Sequence, residues 1–138
     1  MPIWLRPSNL NSDSFAAILI YRGLRYSRKR NLKYAHAGIF VTILIMVLIA
    51  SAAVFNFHNS SNPPIPNLYS LHSWVGLVAV LLFICQWIGG FASFLYPQIR
   101  APLREAIMPY HIFFGLTGYV FAIAAALLGV SEKAFFSM

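Results

Sequence analysis

The sequence predicts an all-α membrane protein, a bundle of apolar helices in lipid. Two observations carry that prediction. Of the 138 residues, 59% are hydrophobic and only 9% are charged, whereas a soluble domain averages about 25% charged residues. Three stretches, Ala35–Phe57, Leu71–Tyr96 and Met108–Val130, contain no Lys, Arg, Asp or Glu. Each exceeds the roughly 20 residues a helix needs to cross a hydrocarbon core about 30 Å thick.

Taken in order, residues 1–14 are polar, contain proline and lack the basic-then-apolar order of a signal peptide. Phe15–Tyr21 is apolar but too short to span, and reads as the end of a preceding helix. Arg22 to Lys33 is a basic connector. The first span stops at Phe57, before a loop stiffened by Pro63, Pro64 and Pro66. The second ends before Pro97. The third is expected to begin at Met108-Pro109, since proline is accepted in a first helical turn. No internal repeat and no second domain are expected, so residues 1–138 form part of one domain.

The net charge of +7 is unevenly placed. Arg22, Arg25, Arg28, Lys29, Arg30 and Lys33 precede the first span, the 59–70 loop has no basic residue, and Arg100 and Arg104 fall in the next loop. That alternation is the positive-inside pattern, so the segment before the first span and the 97–107 loop face the cytoplasm. A charge explained by topology argues against a nucleic-acid partner. Asn59-Ser60-Ser61 fits a glycosylation motif, but so near the bilayer that modification is disfavoured. Cys85 lies inside the second span, where a lone cysteine behaves as a small apolar residue.

The four histidines, His36, His58, His72 and His111, all lie close to span ends. Polar groups are costly in a membrane, which makes each a site candidate. Antiparallel spans put His36 and His111 at matching depth, as six-coordinate haem needs, while His72 and His58 lie toward the other face. A zinc or non-haem iron site would want three or four ligands in one place. Gly76 and Gly115 each follow a histidine by four residues, on the same helical face. Each is expected to leave room for something flat beside that imidazole.

Several blocks then resemble one family. They are Lys33-x-x-His36-Ala37-Gly38, Phe55-x-Phe57-His58-Asn59 and Asn67-Leu68-Tyr69-Ser70-Leu71-His72-Ser73-Trp74, followed by Met108-Pro109-x-His111-x-x-x-Gly115 and Leu128-Gly129-x-x-Glu132-Lys133. In this order they look like the animal cytochrome b561 family, ascorbate-dependent transmembrane oxidoreductases. The resemblance implies a six-helix bundle with two haems b, of which this chain holds three complete spans and a remnant of a fourth.

By that resemblance His36 and His111 ligate the iron of a cytoplasmic haem. His72 is one ligand of a non-cytoplasmic haem whose other ligand would lie before Met1, so one haem is expected to be held firmly. Arg22 is implied near a haem propionate, and Asn67, Leu68, Tyr69, Ser70 and Glu132 at the rim of the second haem. Lys29, Lys33 and Arg104 match an ascorbate-binding cluster; Phe55 and His58 match the acceptor side, where His58 is a candidate Fe(III) site. The implied activity carries electrons from cytoplasmic ascorbate to Fe(III) chelates or monodehydroascorbate across a plasma, endomembrane-vesicle or lysosomal membrane. A homodimer is compatible with it. The rival expectation is a truncated, non-catalytic isoform that binds at most one haem and associates with full-length subunits.

Overall fold

A computed structural model describes residues 19–20, 23–24 and 28–138 of the chain. Arg22 and most of the expected helical remnant at 15–21 lie outside these residues; Leu19 and Ile20 are helical. The described residues form three long helices, α1 (Lys29–Ser60), α2 (Leu71–Gly90) and α3 (Ala101–Phe136), with a π-helical turn at Phe91–Leu95 ending the second. All three are long and apolar enough to cross a bilayer. The chain is a multi-pass integral membrane protein.

Each boundary has a local cause. The amide of Ser61 bonds back to Phe57 O as α1 ends, and that of Ile65 to His58 O, folding the proline-rich loop onto the helix end. Ser70 caps α2, its Oγ accepting the amide of Ser73 at 3.3 Å. At the other end of α2, Pro97 has no N–H with which to extend an α-helical ladder. The chain widens instead: Tyr96 N bonds to Phe91 O, and Gln98 N to Ala92 O. Phe94 O accepts from two side chains there, Lys33 Nζ of α1 and Gln98 Nε2, each at 3.4 Å.

Two expected helix starts are corrected: α1 begins at Lys29, within the expected basic connector, rather than at Ala35. The third helix begins at Ala101, not Met108, with Pro102 in its first turn and Pro109 inside it. A proline inside a helix removes one intrahelical bond, here the bond to the carbonyl of Glu105, an exposed residue. Membrane helices tolerate such breaks where neighbouring groups or water meet the freed carbonyl.

The helices meet through small residues. A Cβ built on Gly76 would lie 3.8 Å from Ala125 Cβ, and one on Gly118 would lie 3.5 Å from Leu82 Cβ. The α2–α3 seam therefore rests on backbone approach, as helices associate in lipid. The first helix is joined to α2 by Trp87 Nε1–H donating to Ala37 O at 3.1 Å and by the edge-to-face pair Phe40–Phe83, 5.4 Å between centroids. Among the described residues only Leu32, Ala79 and Ala125 are buried hydrophobics, while Ile49 and Val120 are more than 60% exposed. Apolar side chains on the outside are what a lipid solvent permits.

Candidate functional site

Helix pairing forms two imidazole stations at opposite ends of the α2–α3 seam. At one end His36 of α1 and His111 of α3 stand 6.4 Å apart between ring centroids. Two imidazoles with nitrogens about 2 Å from one metal between them have ring centres roughly 6 Å apart. Their spacing is therefore that of two axial ligands to one iron. Phe40 packs edge-on to His36 at 4.8 Å, and Phe94 lies 5.4 Å from His111, walling the station with apolar rings.

At the other end His72 Nδ1 lies 2.6 Å from Ala125 O. A carbonyl can only accept, so Nδ1 carries the hydrogen and Nε2 keeps a bare lone pair. Metal-ligating histidines are commonly fixed in this way, by a bond from the nitrogen that does not ligate. The neighbouring helix thus fixes the ring of His72 with Nε2 unprotonated. Among the described residues, no three His, Cys, Asp or Glu side chains come together. The fold offers imidazoles singly and in a pair, which suits a planar group that brings four ligands of its own.

Gly115, one turn from His111, stands in open space with nothing within 4 Å, while Gly76 makes an ordinary 3.8 Å approach to Ala125 Cβ. Two further glycines make room for the imidazoles themselves, each from the opposite helix. A Cβ on Gly90 would come within 2.9 Å of His111 Cε1, and one on Gly129 within 2.8 Å of His72 Cε1. A single helix's i, i+4 spacing describes that helix's own face, whereas an imidazole reaching across a seam touches its neighbour.

This exchange exposes a repeat that the sequence reading missed. Both α2 and α3 carry His-x-x-x-Gly-Leu, at His72 and at His111, and in both a second glycine follows the histidine by 18 residues, at Gly90 and Gly129. Eighteen residues are five helical turns, which returns to the same face about 27 Å further along. Antiparallel packing then sets each histidine against the other helix's glycine. The recurring spacing was the available signal.

The remaining candidates divide between the two ends. Lys29 is exposed in the first turn of α1, Lys33 is half-buried one turn on, and Arg104 lies in the first turn of α3, all at the end that holds the His36–His111 pair. At the opposite end Phe55 is 41% exposed, and the ring of His58 sits 6.3 Å from that of Phe57. Asn67 Nδ2 donates to Asn59 Oδ1 at 2.8 Å. Leu68 has φ 54°, a left-handed conformation rare for so bulky a residue, and the adjoining Tyr69 is 83% exposed. Glu132 is half-buried one turn beyond the glycine that faces His72.

Fold and site together define a multi-pass helical membrane protein with a pair of imidazoles set between its helices. Comparison with known proteins makes that class specific. The family model for eukaryotic cytochrome b561 matches residues 14–137, and the chain belongs to that family. It is 43% identical over 125 residues to the plasma membrane ascorbate-dependent reductase CYBRD1 of Xenopus tropicalis, covering 88% of this chain and 43% of the relative. With the human transmembrane ascorbate-dependent reductase CYB561 it shares 38% identity over 122 residues, covering 88% and 48%. The human lysosomal membrane ascorbate-dependent ferrireductase CYB561A3 is 42% identical over 106 residues, covering 77% and 43%. The chain thus spans somewhat under half the length of each of these relatives.

Proposed function

We propose that this chain is part of an ascorbate-dependent oxidoreductase that passes single electrons across a membrane, from cytoplasmic ascorbate to Fe(III) or monodehydroascorbate. The observation that carries the reading is the pair of imidazoles, His36 and His111, at axial-ligand spacing inside an apolar bundle. His36 and His111 would hold one haem b, and His72 would give one ligand to a second. Haem supplies a reversible one-electron couple when bound; the protein fixes its ligands and excludes competing reactions.

The chain's own residues act on the substrates. Ascorbate is a monoanion at neutral pH, and Lys29, Lys33 and Arg104 gather positive charge at the face where it would donate, attracting and orienting it. Phe55, His58 and Tyr69 stand at the opposite face, where the acceptor would dock. Residues 1–138 are on this reading part of a cytochrome b561 domain.

The test is substitution of each paired histidine. His36→Ala and His111→Ala should each abolish the low-spin reduced spectrum of the haem they share while the protein still inserts in the membrane. A low-spin spectrum retained in both variants would refute the pairing.

A further inference from the structure

A cavity of about 350 Å³ lies in the α2–α3 groove beside His111, and Gln86, Gly90, Ser93, Phe94 and Tyr110 are among the residues that line it with the histidine. Gln86 Oε1 is buried there without a hydrogen-bond partner. A carbonyl oxygen deprived of both water and a donor is costly in hydrocarbon, so a donor must be meant for it. Tyr110 is 66% exposed and can reach outside partners. Ser93 lies two turns further along α2, about 10 Å away.

The helical repeat singles out the imidazole. His72 gives its Nδ1–H to Ala125, which follows His111 by 14 residues; Gln86 follows His72 by the same 14. Gln86 therefore occupies on α2 the place that the acceptor of His72 occupies on α3. The two imidazoles differ in how closely they approach the opposite helix. A Cβ on Gly129 would lie 3.0 Å from His72 Nδ1, but one on Gly90 would lie 3.5 Å from His111 Nδ1. Main-chain carbonyl serves the nearer ring, and a longer side-chain carbonyl stands ready for the farther one.

We propose that Gln86 is a positioning residue for His111, its Oε1 accepting the imidazole Nδ1–H and leaving Nε2 for the iron. This rests on the haem reading above, which the spectrum of the parent chain and its loss in His36→Ala test separately. An accepted Nδ1–H makes an imidazole a stronger donor to its metal and favours Fe(III). The chain reconstituted with haem b should therefore show a higher midpoint potential in Gln86→Leu, with shifted low-spin resonances by electron paramagnetic resonance.

Gln86→Glu keeps an oxygen acceptor, so its potential should equal the parent's or fall below it. Phe114→Leu, which alters packing in the same cavity, should leave potential and resonances unchanged. If Gln86→Leu does not load haem, loading by Gln86→Glu at the parent level supports the acceptor role. Haem-loaded Gln86→Leu with unmoved potential and resonances would overturn the proposal, and so would failure of both Gln86 variants to load.

Discussion

At the scale of single residues, partners already fixed by the fold limit what each candidate can do. Lys33 spends one of its three N–H donors on Phe94 O, which holds the ammonium at the end of α2 and leaves two for a ligand. A charged hydrogen bond is worth roughly 1.5–3 kcal/mol, about ten- to a hundredfold in affinity. Lys33→Ala or Arg104→Ala should therefore slow reduction by ascorbate by about that factor while sparing reduction by dithionite, which needs no binding site. Unchanged ascorbate kinetics at moderate salt would leave these charges a purely topological role. The histidines were legible in the sequence because imidazole is conspicuous among apolar neighbours. Gln86 drew no notice, although a glutamine amid Ile84, Cys85 and Trp87 carries the same kind of signal: a polar group where lipid penalises it.

At the scale of elements, the α2–α3 seam decides which substitutions matter. Gly76 and Gly129 both face a neighbouring helix, but a methyl at Gly76 would make an ordinary 3.8 Å contact with Ala125 Cβ, whereas one at Gly129 would press to 2.8 Å on His72 Cε1. Gly129→Ala should swing the imidazole off its seat and break the bond to Ala125 O, a loss of about 0.6 kcal/mol for a typical interhelical bond in a membrane. Nitrogen NMR of labelled histidine should then show His72 losing its fixed tautomer, while Gly76→Ala keeps it. An unchanged His72 signal in Gly129→Ala would show that the ring is held by something else. Hydropathy located the three spans, since lipid sets their length and excludes charge from them. It missed the start of α3, because residues 101–107 form helix outside the apolar window, and it missed the π turn, which arises from a carbonyl ladder that Pro97 cannot continue. Contacts between helices were the least legible. The seam pairs residues 21 to 57 positions apart in the chain, as in Gly90 with His111 and Gly129 with His72, through a geometry that no single helix's spacing contains.

At the scale of the whole molecule, two stations about five turns apart set imidazoles at the two ends of the α2–α3 seam, a spacing that the proposed transfer across a bilayer would use. They are unequally furnished. His36 and His111 approach as a pair, while His72 is committed through Nδ1 to Ala125, and His58 sits at the end of α1 with its carbonyl tied to the loop by Ile65. Expressed by itself, the 138-residue chain should therefore hold one haem tightly rather than two. The paired site would draw both its ligands from helices whose backbones are satisfied internally and can insert unaided; the other offers one imidazole among the described residues and would hold haem loosely. The measurement is the haem-to-protein ratio of the purified chain in detergent, with the low-spin spectrum as a count of complete ligand pairs. The same chain in sealed vesicles loaded with ascorbate should fail to reduce an external ferric chelate, because electrons entering at His36 and His111 would find no second firmly bound haem to receive them. Two low-spin haems per chain would mean that His72 finds a partner within these residues. Iron reduction outside intact vesicles would carry the same consequence for electron transfer: the path is complete with the residues present, and the inequality of the two stations does not limit it.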